Sequence, residues 1–542
     1  MLHADESPAV YKSPQVDMGY DIADYTDIDP LYGTLQDVDD LIKELHKRDM
    51  KLMMDLVVNH TSDQHEWFKE SRASKDSSKR DWYIWKKPKI DEKGQRQPPN
   101  NWSMILGEAH SAWTYDKETD EYYLALFTPE QPDLNWENPA VRKAVHDVLR
   151  FWLDRGASGF RMDVINLISK DQNFPDAPVV ASENKYQPGF KYYANGPRLH
   201  EYLHEINTEV LSKYDTITVG EMPWCRDMDD ILRAVGAQAE ELNMIFIFEL
   251  VDIDDEWGKF RMSLRHFKPH EIKDIQTRWQ RLMIDRDGWN SVFCENHDNP
   301  RSVTRYTDDS DQYREVGSKL ICLMQAFLNG TLYIYQGQEI GIRNVPPEWG
   351  PEEYKDIESQ NYWKKMNDMF PGNKEKLDFA RELLQRKSRD HARTPMQWNA
   401  DTNAGFCEKD ITPWMRVNDD YIDVNVEEQR SSNPSGQPSV MQFWQKALEI
   451  RRINKETFIY GDYELLSDDE SPIFAYKRSS GSQQWIVVLN FSKDTLKWSL
   501  PEKLRLDEWV LGNYDSRTEH SLSGQVELRP WEGFLGRVES VQ

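Results

Sequence analysis

Along most of the chain, short apolar runs rich in β-branched residues alternate with stretches of helical period. The runs KLMMDLVVNH (51–60), ASGFRMDV (157–164), TITVGE (216–221), MIFIFE (244–249), SVFCEN (291–296) and GTLYIYQGQE (330–339) read as strands. Between them, LQDVDDLIKELHKR (35–48), PAVRKAVHDVLRFWLDR (139–155), PRLHEYLHEINTEVLSKY (197–214) and REVGSKLICLMQAFLNG (314–330) read as amphipathic helices. Strands that alternate with helices make βαβ units and a parallel sheet. The pattern therefore predicts an α/β fold and more than half of a (β/α)8 barrel.

Two stretches break the alternation. Residues 61–128, with the charged segment KKPKIDEKGQRQPPNNW, are too long for a simple connection and are expected to form a small inserted domain. Residues 342–400, rich in Pro, Trp and charge, read as irregular. After the helical stretch VMQFWQKALEIRRIN (440–454), the period changes to short alternating runs, SPIFAYKRS, QQWIVVLNFS, LDEWVLGNY, GQVELRPW and GFLGRVES. These predict a C-terminal antiparallel β domain over 456–542, with the barrel in 1–60 and 129–455.

Composition then narrows the partners. Asp and Glu outnumber Lys and Arg by 94 to 67, and a net charge of −27 repels nucleic acid and anionic membrane surfaces. No apolar run reaches the ~18 residues that span a bilayer, and the opening MLHADESPAVYK has no signal-peptide core. The four cysteines, Cys225, Cys294, Cys322 and Cys407, are too far apart in sequence for a metal motif and read as reduced thiols. We expect a cytoplasmic monomer without nucleic-acid or membrane partners. Twenty tryptophans supply aromatic surface that suits sugar rings as well as ordinary core.

In a parallel barrel, charge belongs at the C-terminal strand ends, where the active site is built. Arg161 and Asp163 lie two apart in GFRMDV, so both point to one face. An isolated Arg-x-Asp would read as a structural ion pair. Here Asp55 and His60, Glu221, and His297 with Asp298 follow other strands at the same sheet edge. Converging carboxylates suit glycoside hydrolysis, in which one attacks the anomeric carbon and a protonated one serves the leaving oxygen. Arg161 should favour the ionised form of Asp163, as a nucleophile needs, while Glu221, flanked by apolar residues, suits the acid. Asp55, deeper in its strand, reads as a structural brace.

The segments DLVVNH, QPDLN, GFRMDV, VGEM and ENHD resemble, in order and spacing, the signature regions of the α-amylase family of glycoside hydrolases. The likeness runs from about Ser13 to the C-terminus and is closest to the oligo-1,6-glucosidase and maltase branch, with "SRDHARTPMQW" and "YYANGPR" similar to its fungal members. The resemblance implies a retaining mechanism with Asp163 as nucleophile, Glu221 as acid/base and Asp298 as a third carboxylate, and it places 61–128 after the third barrel strand. It implies a glucose pocket lined by Asp17, Tyr20, His60, Phe127, Arg161, His297 and Arg393, with Asp17 and Arg393 closing its end. Val164, just after the nucleophile, resembles the α-1,6 type, where Thr or Ala accompanies α-1,4 preference.

The implied activity is an exo-acting α-glucosidase that releases terminal glucose from short α-glucosides, with isomaltose preferred and no cofactor. The alternatives are an α-1,4 maltase or sucrase of the same branch and a non-catalytic relative; the loop "NPRSVTRY" lacks the Arg-rich pattern of sucrose isomerases. The chain departs from the family at its start. About a dozen residues precede "DMGYD", where the family has a strand, a helix and most of a second strand. We therefore expect a barrel lacking its first strand and helix, with unpaired sheet edges, and no bound metal, since the first-loop metal site lies in the missing segment.

Overall fold

The computed structural model describes residues 3–6, 9–107, 110–256, 259, 261–431, 436–468, 470–514 and 524–540, with side chains from residue 9 onward. The chain divides into two units, residues 1–248 with 256–263, and residues 249–255 with 264–542.

The first unit is built on a parallel sheet of five strands in the order His3–Glu6, Met50–Val57, Gly159–Asp163, Ile217–Glu221 and Met244–Phe246. Its middle strands are largely buried on both faces, and their register places Arg161 beside Asp55 on one side and Val219 on the other. Gly159 is required by close packing: a Cβ there would lie 1.8 Å from the Ile217 carbonyl oxygen. The helix Leu35–His46 starts in a capping box between Thr34 and Asp37. The helix Pro139–Arg155, as read from the sequence, starts at the Asn138 cap with Pro at its first turn and ends at Gly156 in the left-handed region.

The opening stretch corrects one expectation. Residues 3–6 run parallel to 50–53, so the Met50–Val57 edge is paired rather than bare. Backbone hydrogen bonding asks only for an extended segment in register, and a stretch without family-like side chains supplies it.

Within 61–128 lie a helix, Glu66–Ala73, a three-stranded antiparallel sheet of Trp85–Lys86, Glu121–Leu124 and Trp113–Asp116, and a short hairpin, Lys89–Ile90 with Arg96–Gln97. Trp102, Trp113, Leu124 and Leu126 from this stretch share one apolar cluster with Val164, Leu167 and Tyr193.

In the second unit, the two remaining parallel strands are shorter than expected, Ser291–Val292 and Thr331–Leu332. The Gln325 amide donates to the carbonyls of Val292 and Tyr333, and the Val292 carbonyl also accepts the Tyr333 N–H at 2.9 Å. The stretch 342–400, read as irregular, contains two helices, Ile357–Met369 and Lys374–Lys387. In the second, charge crowds the sequence and only Ala380, Leu383, Leu384 and Lys387 are buried, so the helical period was masked.

The C-terminal region forms an antiparallel sheet in the order Asp462–Leu465, Ile473–Ser480, Gln483–Asn490, Gly533–Ser540 and Leu504–Gly512. Alternation sends Phe474, Tyr476, Val487 and Leu489 into a core with Leu320, Leu323 and Trp444, and Ile473, Ala475, Ile486 and Val488 into a second core with Trp498 and Leu528. Among the described residues, no helix is long and apolar enough to cross a membrane, and no group of three or more His, Cys, Asp or Glu side chains is placed to hold a metal ion.

Candidate active site

At the C-terminal ends of the first unit's central strands, one buried guanidinium gathers three carboxylates. Arg161 Nη1 donates to both Asp55 oxygens at 3.0 and 3.1 Å and to Asp163 Oδ1 at 2.6 Å, while Nη2 donates to Glu221 Oε2 at 2.6 Å. Parallel register aligns Arg161 with Asp55, and the period of two brings Asp163 onto the same face. The backbone N–H of Val164 donates to the same Glu221 oxygen at 3.2 Å, and Asp163 and Glu221 hydrogen-bond to each other.

This arrangement reverses the electrostatic expectation for Asp163. Burial, the Glu221 and Asp55 charges and the hydrogen bond to Glu221 push its carboxyl well above the usual range, against the pull of Arg161. Burial also raises Asp55 against Arg161 and Tyr20, whose hydroxyl donates to it at 2.9 Å. A guanidinium divided among three carboxylates leaves net negative charge in a buried site, which favours the protonated form of Asp163. Asp55 is thus part of the charge cluster and more than a loop brace.

Val164 leaves the strand. Its φ of 34° is left-handed, and its side chain is buried in the apolar cluster with Leu167 and Tyr193. A β-branched residue in that region is strained.

A second network lies on the neighbouring loops. His60 Nε2 is 3.0 Å from the Tyr20 carbonyl oxygen, and its ring packs on Phe127 with centroids 5.0 Å apart. Burial lowers the His60 pKa, which keeps the ring neutral. Gln131 donates to Asp17 at 3.1 Å and stands 3.2 Å from His60 Nε2. Asn59 donates to Asp133 at 3.0 Å, and buried Lys170 reaches both Asn59 at 2.9 Å and Asp133 at 3.0 Å. Asp17, Tyr20, His60 and Phe127 are thus brought into one polar network through Gln131, which the sequence reading passed over although it opens the quoted QPDLN.

The remaining expected residues belong to the second unit. Asp298 accepts from Arg393 Nη2 at 2.6 Å and from Arg389 Nη1 at 3.2 Å, and His297 Nε2 lies 3.4 Å from its other oxygen. Both arginines also hold Asp356, Arg393 at 2.8 Å and Arg389 at 2.8 and 3.0 Å. Arg393 Nε donates to the His297 carbonyl at 2.9 Å. Burial pushes the Asp356 carboxyl up, but Arg389 and Arg393 outweigh it and the net direction is down. Asp356 carried no sequence signal, while Arg389 lies in the quoted SRDHARTPMQW and was passed over in favour of Arg393.

Comparison with known proteins accords with this geometry. Residues 7–461 match the family described as Alpha amylase, catalytic domain. The chain is 46% identical over 526 residues to an α-glucosidase of Schizosaccharomyces pombe, covering 97% of this chain and 89% of that protein. It is 44% identical over 531 residues to the oligo-1,6-glucosidase of Parageobacillus thermoglucosidasius, covering 98% and 90%. Among solved structures, the isomaltulose synthase of Protaminobacter rubrum superposes with a TM-score of 0.90 at 35% identity, covering 99% of this chain and 92% of that one.

Proposed function

Because the chain belongs to the α-amylase family of glycoside hydrolases, with its (β/α)8 barrel and C-terminal antiparallel domain, and is of the α-glucosidase type, we propose that it is a retaining, exo-acting enzyme. It removes terminal glucose from short α-glucosides, α-1,6-linked ones first. The observation that carries this reading is the hydrogen-bonded Asp163–Glu221 pair on Arg161. Two carboxyls held on one guanidinium suit the retaining class, in which the pair stands ~5 Å apart and a covalent intermediate replaces a directly attacking water.

In the proposed reaction, Asp163 is the nucleophile and Glu221 the acid/base, as the motif resemblance assigns them. Asp163 attacks the anomeric carbon; the glycosidic C–O bond breaks as Glu221 protonates the leaving oxygen. Glu221, now a carboxylate, takes a proton from water, which attacks the glucosyl ester and releases glucose with its configuration retained. The Val164 amide and Arg161 hold the Glu221 oxygen in place through both steps. Asp298 serves as the third carboxylate, and His297 and Arg393 as sugar ligands, on the motif resemblance. Asp17, Tyr20, His60 and Phe127 hold the terminal glucose.

The α-1,6 preference rests on Val164, whose isopropyl group carries a methyl where Thr carries a hydroxyl and two methyls that Ala lacks, a change worth ~1–3 kcal/mol in selectivity. The enzyme acts without cofactor, as a monomer in the cytoplasm. The test is glucose release from isomaltose and maltose, side by side, with Asp163→Asn as blank and product anomers followed by NMR. Faster release of α-glucose from isomaltose is expected. Faster release from maltose overturns the linkage preference, and β-glucose as first product overturns retention.

A further inference from the structure

Three residues beyond Glu221 the backbone does something costly. Trp224 has a φ of 60°, in the left-handed region where a bulky side chain is an outlier. Such strain persists only where surrounding contacts enforce it, and it clusters at functional sites. The enforcing contacts are visible here. Asn166, on the loop that follows Asp163, donates from Nδ2 to the Pro223 carbonyl at 2.7 Å and to Asn195 at 3.0 Å. That amide ties the loop after the nucleophile to the loop after Glu221 immediately before Trp224. The indole stacks on Phe190, with centroids 5.5 Å apart and planes 17° from parallel, and meets the edge of Tyr193 at 6.2 Å.

Trp224 and Phe190 are only partly buried, and both pack against the apolar cluster that contains Val164 and also borders Phe127. A tryptophan placed only to fill a core would be enclosed and would not need a backbone conformation that is costly for a bulky side chain. Rigid aromatic faces bind the apolar faces of sugar rings.

We infer that Trp224, braced by Phe190 and fixed by Asn166, forms an aromatic wall for the leaving-group sugar, and so helps set which linkages and aglycones the enzyme accepts. The inference rests on the glucosidase reading, in which Glu221 protonates the oxygen between the two sugars. A side chain on the loop leading away from Glu221 is placed to meet the departing ring.

The experiment compares isomaltose with α-D-glucosyl fluoride, whose single-atom leaving group cannot reach an aromatic wall, for wild type, Trp224→Gly and Trp224→Phe. In Trp224→Gly, the ratio of kcat/KM for isomaltose to that for the fluoride should fall roughly tenfold, the upper range of an aromatic pair's contribution. Trp224→Phe should recover part of it. The thermal midpoint of Trp224→Gly should fall, because the lost packing on Phe190 and Tyr193 outweighs the relaxed backbone, which is why the substrate ratio rather than stability is the readout. Equal losses on both substrates, or an unchanged ratio, overturn the inference while leaving the glucosidase reading standing. A wild type that cleaves neither substrate overturns both.

Discussion

Around Arg161 one guanidinium serves three carboxylates; around Asp298 and Asp356 two guanidiniums serve two. The side chains are of the same kinds and both groups are largely buried, yet the carboxyl shifts are opposite. Asp163 is driven up by burial and its negative neighbours, whereas Asp356 is brought down by Arg389 and Arg393 in spite of burial. Burial alone raises any carboxyl; the count of partners decides whether that rise survives. The balanced cluster needs no proton and suits a scaffold for Asp298. The unbalanced one holds a proton ready to move, which is what acid/base chemistry requires.

The strongest way to break this contrast is Asp163→Asn. It should lower glucose release from isomaltose by at least roughly 10⁴-fold, as removal of a nucleophile does. The same variant should be more stable than wild type at neutral pH. A carboxyl whose pKa is raised by folding contributes stability only at low pH and loses it as pH rises through the folded value, so at pH 7 its charge opposes folding. A thermal midpoint below that of wild type would contradict the unbalanced-charge account.

Next comes Arg161→Leu, which leaves three buried carboxylates without their cation and should cost about 3–5 kcal/mol in urea unfolding. Removing one arginine of the balanced cluster, as in Arg389→Leu, leaves Arg393 on both carboxylates and should cost less. Equal losses would mean that partner count does not distinguish the clusters.

A subtler comparison pairs Asp55→Asn with Asp356→Asn. The first removes a charge that raises Asp163, so the acid limb of the kcat/KM profile should move to lower pH. The second has no part in the Asp163 shift and should leave that limb in place while weakening binding.

The smallest effect expected is on acid stability. Burial holds His391 down to about 4; Nδ1 accepts from the Val345 amide at 3.3 Å and Nε2 lies 3.0 Å from the Leu384 carbonyl. Between pH ~6.5, the unfolded value, and about 4 the unfolded chain binds the extra proton, so stability should decline as pH falls through that window. His391→Gln should flatten the decline when unfolding is followed from pH 7 to 4.

Most of the parallel strands, the helices Leu35–His46, Pro139–Arg155, Leu199–Glu209 and Arg314–Ala326, and the C-terminal alternation were legible because each is written in a local period, whereas the helix Pro269–Ile284 was passed over. The helix Pro139–Arg155 carries its cap, its proline and its terminal glycine in sequence. The helix Lys374–Lys387 was not legible, since few of its residues are buried and its surface charge hides the stripe. Similarly, Arg161 and Asp163 announced themselves by their setting in an apolar strand, while Asp356 looks like an ordinary surface charge until the fold brings it to Arg389 and Arg393.

From the sequence alone came the residue types, their spacing and the family, and hence the face that Arg161 shares with Asp163 and the carboxylates that converge on it. Only the tertiary structure decided how many partners each charge has. That number depends on which strands and loops meet, so it set the direction of the Asp163 shift, drew Asp55 into the cluster and held Trp224 in a conformation no local preference would choose. Electrostatic energy in a buried site is a property of the neighbourhood, and neighbours distant in sequence are supplied by the fold.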